Sequence, residues 1–464
     1  MTIPPKTPKR RRKRGVILTK VGLARFQAVK ANAEYEQNQG HRYTLEALSE
    51  KAGVSVDTLA KVLACEVRVD KQTLKCCFEA FALELGQDDY YSPEAVRSPE
   101  LNPARSATGH AMADRPFNQL PYPVQPPGGQ IPVDSPYYIS RLKAEATSYQ
   151  AMTQPGALIR LKGAHQTGKT SLIAKISQQA QQRGYQPVYI SFQLAENAVL
   201  QDLDKLLQWF CASVGLNLSI SPSLDTYWNP IFGSKMSCKL YFEEYLLPTV
   251  QKPVVLLLDD IERLFNNTDV ADEFFGLLRT CYEEAKTSQI WQQLKVVIAQ
   301  TSEVYIPLNI NKSPFNVGVA VPLLPFEPSH LQALASAYQL NWSLADVTAL
   351  CQLLSGQPYL SHLVVYHVWK RDVTIADVLA QGAECPIFLS YLHRQQRQVQ
   401  QTPTLGIALG QLFSQATSFS PTVLADIYRL QSLGLVTLTD SGPKIACQLL
   451  QDYFSMALER TAAS

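Results

Sequence analysis

Gly163-Ala164-His165-Gln166-Thr167-Gly168-Lys169-Thr170 fits the pattern G-x-x-x-x-G-K-[ST] at every fixed position. It follows an apolar run at 157–162 and precedes a helical stretch, the strand-to-helix context in which such a loop cradles phosphate. The glycines let successive backbone N–H groups converge at a helix N-terminus, where the dipole also favours an anion. The reading therefore assigns Gly163, Gln166, Thr167, Gly168, Lys169, Thr170 and Ser171 to nucleotide binding. Lys169 is placed on the β- and γ-phosphates and the Thr170 hydroxyl on Mg²⁺.

Downstream, Val254-Val255-Leu256-Leu257-Leu258-Asp259-Asp260 is an apolar strand ending in two carboxylates. Beside a P-loop, Asp259 is expected to hold the metal, directly or through water. Asp260 is expected to orient or deprotonate the attacking water. A polar residue ending the run 295–300 is expected to sense the γ-phosphate, with Gln300, Thr301 and Ser302 left open.

Short runs rich in Val, Ile and Leu at 157–162, 187–192, 254–258, 295–300 and 317–322 alternate with helical stretches, which predicts a mostly parallel sheet covered on both faces. From 328 to about 379 the pattern is helical. Near the end, a helix stopped by Gly434 runs into a short hairpin, the order of elements in a winged helix. At the other end, residues 44–63 read as helix, tight turn at Gly53 and second helix, with Ala47, Leu48, Val54, Leu59 and Val62 inward. That is a helix-turn-helix pattern, followed by a further helix over 71–85.

The fold class expected is multidomain α/β: a P-loop NTPase parallel sheet with a helical lid and a C-terminal winged helix, preceded by a small all-α helix-turn-helix domain. Its boundaries are a basic tail at 1–14, the helix-turn-helix domain at 15–91, a Pro/Gly-rich linker at 92–135, the ATPase core at 136–325, the lid at 326–400 and the winged-helix-like domain at 401–464. A chain of 464 residues exceeds what one hydrophobic core usually organises.

Hydrophobic residues are 46%, charged residues 18%, and the formal net charge is +2, which excludes a wholly disordered or uniformly nucleic-acid-coating chain. The nine cysteines include no C-x-x-C pair, which argues against a disulfide framework and a zinc site. No window of about twenty residues is apolar enough to span a bilayer. A cytoplasmic protein without membrane contact is expected.

Several stretches, at 135–141, 154–160, 227–228, 231–235, 241–248, 272–279 and 305–318, resemble the AAA-like domain of cyanobacterial signalling proteins, related to STAND-type NTPases. The resemblance runs from about 127 to 454. It implies an ATP/ADP-bound switch in which lid and winged helix close over nucleotide. In STAND relatives an h-h-G-R stretch lies against the base; Tyr138-Ile139-Ser140-Arg141 matches it with Ser in place of Gly, which implies base-side roles for Tyr138 and Arg141. A G-x-P in the lid touches nucleotide, and Gly356-Gln357-Pro358 fits, implicating Pro358. The winged-helix histidine of some relatives has no counterpart over 437–453. Arg279 is the candidate arginine finger, with Arg263 the competitor.

The second helix of the helix-turn-helix offers Lys61 as its one basic residue, beside Asp57 and Glu66, whereas groove-reading helices usually present Arg, Lys, Asn or Gln. The tail 9–14 can contact phosphate without sequence preference. DNA contact through 9–14 and 44–65, and binding of a protein partner, both stay open. The function expected is a slow Mg-dependent ATPase switch, with nucleotide-dependent homo-oligomers; the alternative is a DNA-binding transcriptional regulator that uses the ATPase fold to oligomerise.

Overall fold

The computed structural model describes residues 16–19, 23, 25, 26, 29, 30, 43–64, 69–81, 83, 85, 86, 89–91, 124–301, 313–414 and 418–463. The tail 9–14, Glu66, the linker over 92–123, Ser302 and the string 305–312 lie outside them. The chain divides into two units, at residues 114 and 115.

In the first unit, Leu45–Ala52 begins at Thr44, whose side chain accepts from the Ala47 N–H at 3.2 Å, and ends at Gly53 with φ +64. A left-handed residue there costs glycine little and stops the helix. Val56–Ala64 and Lys71–Glu79 follow, the latter capped by Asp70, which accepts from Gln72 N–H at 3.0 Å. Leu48, Leu59, Val62, Leu74 and Phe78 form the core between them. The all-α expectation needs one correction: β1 (Ile17–Leu18) pairs antiparallel with β2 (Tyr90–Tyr91). Two-residue strands more than seventy positions apart leave no periodicity for a sequence reading to detect.

The second unit is built on a sheet of β3 (Leu158–Lys162), β4 (Gln186–Ser191), β5 (Val254–Asp259), β6 (Leu294–Gln300) and β7 (Val319–Pro322). All neighbours are parallel and the spatial order is β4-β5-β6-β3-β7. β5 is buried along its whole length because its alternate residues serve two cores. Val254, Leu256 and Leu258 pack with the helices Leu203–Asn217 and Thr268–Glu284; Val255 and Leu257 pack with the P-loop helix Lys169–Gln182. The two faces together bury the strand completely, which explains the unbroken apolar run.

Beyond β7, helices Pro328–Ala337, Leu344–Leu354, Pro358–Trp369, Ile375–Gln381, Pro386–Gln400, Pro403–Phe413 and Pro421–Leu433 follow, then the antiparallel hairpin β8 (Val436–Thr439) and β9 (Gly442–Ile445), then Gln448–Ala463. One cluster of buried residues runs from Leu331 to Phe454, so these elements share a core. Ser343 and Thr374 head two of the helices in reciprocal capping boxes with Asp346 and Asp377. No helix of the described residues is long and apolar enough to cross a membrane.

Candidate functional site

Both ends of the P-loop are fixed by backbone geometry. Gly168, immediately before the helix Lys169–Gln182, has φ +94, and Gln166 has φ +60. A positive φ is expensive for a residue with a Cβ, so the Gln166 conformation is held by its surroundings. The Thr167 hydroxyl donates to Ala164 O at 2.8 Å, and the Gly163 N–H donates to Gln300 O at 3.2 Å. Lys169 Nζ folds back onto its own loop, donating to Gly163 O at 2.8 Å and Ala164 O at 3.0 Å. Desolvation lowers the affinity of this amine for its proton, against the opposing charges of Glu262, Asp259 and Asp260.

Across from the loop, the Thr170 hydroxyl donates to Asp259 Oδ2 at 2.7 Å, and Tyr189 OH donates to the same oxygen at 3.2 Å. The other oxygen of Asp259 accepts from the Asp260 N–H at 3.0 Å. Burial raises the Asp259 carboxyl above the usual carboxylate range, and the Thr170 hydrogen bond works against that rise. Asp260 is left-handed, φ +58, and its Oδ2 accepts from Ser191 Oγ at 2.6 Å, on neighbouring strand β4. Hydroxyl and carboxylate oxygens so placed are the hard donors that Mg²⁺ takes alongside phosphate and water, and Thr170 with Asp259 fits that cation.

These groups open on a cavity of about 460 Å³, within the ~300–1,000 Å³ usual for small-molecule sites. Of the residues assigned from sequence, it is lined by Tyr138, Arg141, Gln166, Gly168, Lys169, Thr170, Ser171, Asp259, Asp260 and Pro358. Gly163 and Thr167 are not part of the lining. Arg279 is elsewhere: it donates to Asn316 Oδ1 at 2.8 Å and pairs with Glu283 at 2.7 Å. Arg263 also stays off the cavity wall, donating to the carbonyls of Phe192, Gln193 and Ala195. Gln300 and Thr301 are buried at the end of β6, also outside the lining.

Tyr138 and Arg141 commit their polar groups to the protein. Tyr138 OH donates to Glu145 Oε1 at 3.0 Å; Arg141 donates to Thr167 O at 2.7 Å and Leu324 O at 3.0 Å, with its guanidinium 4.9 Å from the Phe326 ring. Burial pulls Arg141 down to about 10. Arg141 thus braces the P-loop backbone from the side. Pro358 owes its place to Gly356: a Cβ there would lie 2.0 Å from Phe326 O, and φ is +65. Only glycine lets the chain pass so close before the helix begins.

Three contributors went unread in the sequence. The end of the stretch assigned as linker lines the cavity from Gln125 to Pro132. Its backbone is tied down by Ile131 N–H donating to Ser171 Oγ at 3.0 Å, and just beyond it the Asp134 carboxylate accepts from the Gln178 side chain at 3.2 Å. Proline and glycine give it no periodicity, so composition alone could not distinguish a tethered wall from a spacer. On the same lining, Tyr338 OH and His362 Nε2 lie 2.6 Å apart, and desolvation pushes His362 down to about 4. Glu262, beside the acidic pair, also faces the cavity, its carboxyl raised by burial. A carboxylate three places after Asp259 was the available signal.

The C-terminal elements reach the same loop. The His165 N–H donates to Ser432 O at 2.9 Å, at the end of the helix Pro421–Leu433. The next cap, Gly434 with φ +81, places its ideal Cβ position 3.7 Å from Ala164 Cβ.

The family described as AAA-like domain matches residues 126–456. An uncharacterised WD repeat-containing protein of Synechocystis is 24% identical over 292 residues, covering 58% of this chain; the chain spans 23% of that relative's length. Among solved structures, a Walker-type ATPase of Pyrococcus abyssi is 16% identical, with TM-score 0.47 over 68% of this chain and 96% of its own. AMPPCP-bound DnaA from Aquifex aeolicus is 14% identical, with TM-score 0.35 over 72% and 93%. With the match covering well over half of its residues, the chain belongs to the AAA-like domain family.

Proposed function

We propose that this chain is an ATP/ADP-binding signalling switch of the STAND type and a slow Mg-dependent ATPase. The observation that carries the proposal is the meeting of Lys169, Thr170 and Asp259 on one cavity that the segment 125–132, Leu334, Tyr338 and Pro358 also line. The base lies between the segment 125–132 and the lid residues Leu334, Tyr338 and Pro358. Lys169 exchanges the carbonyls of Gly163 and Ala164 for the β- and γ-phosphates. Thr170 and Asp259 hold Mg²⁺, which when bound neutralises charge on the phosphates. Arg279 acts on a neighbouring copy after release from Glu283 and Asn316.

The bond from His165 to Ser432 supports a closed state in which the C-terminal helix and hairpin, read as a winged helix, rest on the P-loop. Nucleotide that reshapes 163–170 then alters a docking surface as well as a catalytic one. Differential contact with ADP and ATP biases the two states, so slow turnover suffices. The output is what the N-terminal helices over 44–65 and the tail 9–14 bind, DNA or a protein partner. Gel shifts at varied salt, with and without 1–14, separate these. Calorimetric titration of ATP into wild type and Lys169→Ala tests the nucleotide claim: equal affinities would remove it. Light scattering with ADP and an ATP analogue tests the expected homo-oligomer.

A further inference from the structure

Three carboxyl groups crowd the end of β5, and they are not equivalent. Asp259 is consumed: one oxygen receives Thr170 and Tyr189, the other the Asp260 N–H. Asp260 is pulled toward the sheet edge, its Oδ2 receiving Ser191 Oγ from β4. β4 lies on the side of β5 away from β6 and the P-loop strand β3. Glu262 differs from both. It lines the cavity, and its Oε1 is buried with no hydrogen-bond partner among the described residues. Of the three, it is also the carboxylate whose charge acts most strongly on Lys169. A buried, unsatisfied acceptor is rare in native proteins and calls for an explanation such as a catalytic role.

We propose that Glu262, rather than Asp260, is the carboxylate that takes the proton of the water attacking the γ-phosphate. The proposal rests on the nucleotide reading above and deepens it. Water oxygen forms a bond to the γ-phosphorus; the bond from that phosphorus to the β–γ bridging oxygen breaks, and its electron pair leaves with ADP. The Glu262 carboxylate accepts the water proton and returns it to the released phosphate. Asp260, fastened to Ser191, holds the strand end in place as a positioning residue.

The test uses the full chain with ATP and magnesium, measuring single-turnover hydrolysis, affinity for a non-hydrolysable ATP analogue, and the nucleotide extracted from the protein after incubation with ATP. Glu262→Gln should slow hydrolysis by about 100-fold or more, the usual scale for losing a general base. Its analogue affinity should stay within about threefold, as for loss of an interaction made only in the transition state. The extracted nucleotide should change from ADP to ATP. Asp260→Asn should stay within roughly fivefold of wild type in rate, since positioning is the lesser loss. Glu262→Asp preserves charge and guards against misfolding: it should bind the analogue normally and hydrolyse at an intermediate rate. Glu262→Gln hydrolysing at the wild-type rate, or Glu262→Asp doing so while Glu262→Gln fails to bind, overturns the assignment and leaves the nucleotide reading intact. Wild-type protein that retains no nucleotide overturns both.

Discussion

Thr170 Oγ1 donates to Asp259 Oδ2 at 2.7 Å, across 89 positions of sequence. The first residue belongs to the helix that follows the P-loop, the second ends a strand two places away in the sheet. Their bond joins the P-loop helix to the acidic strand end, the two elements on which the proposed phosphate and metal sites rest. The energetic consequences are separable.

Removing the ammonium while keeping the loop isolates the phosphate contribution. Each charge-assisted hydrogen bond contributes about 1.5–3 kcal/mol, and about 1.4 kcal/mol is tenfold in affinity. Lys169→Ala should weaken ATP binding by at least about 100-fold, as read by calorimetry. Folding should survive, because without ligand the amine satisfies only two loop carbonyls.

Asp259→Asn keeps an acceptor for Thr170 but loses the negative charge that attracts a cation. ATP-analogue binding should persist while its dependence on magnesium flattens, and hydrolysis should fall by roughly 100-fold, as for other groups that stabilise transition-state charge. A magnesium titration that matches wild type would remove Asp259 from the metal site.

Gly356→Ala adds a methyl group 2.0 Å from Phe326 O at a φ of +65. Backbone strain plus steric overlap should lower stability by at least about 2 kcal/mol. The urea midpoint should drop without a change in slope. Because Pro358 is displaced with it, nucleotide affinity should fall as well.

His362 titrates at about 4 in the folded chain, against ~6.5 for an unperturbed histidine. Between these values the unfolded chain binds the additional proton, so stability rises with pH through that window and is lost as pH falls from about 6.5 to 4. For one partly exposed histidine the ceiling is about 3 kcal/mol. His362→Gln should show a flatter dependence of thermal midpoint on pH over that interval. Identical slopes in the two proteins would contradict this origin.

The local parts of the fold were legible in the chain because contiguous residues determine them. The phosphate loop is a matter of backbone torsions within eight positions, and its glycines announce themselves. The run 254–259 reads as a doubly buried strand because both of its faces are apolar, and Gly53, Asp70 and Gly434 end or begin helices by bonds to their immediate neighbours. Tertiary structure decided what depended on distant partners. The strand order, with β6 between the P-loop strand and the acidic strand, follows from how five similar apolar segments pair, and nothing within any one segment specifies its neighbour. The segment 125–132 became a cavity wall through Ser171, Arg279 was drawn to Glu283 and Asn316, and Glu262, on the cavity lining, was left with a buried oxygen that has no partner among the described residues. Torsional preference is written residue by residue, whereas burial and proximity of charge exist only once remote segments have packed.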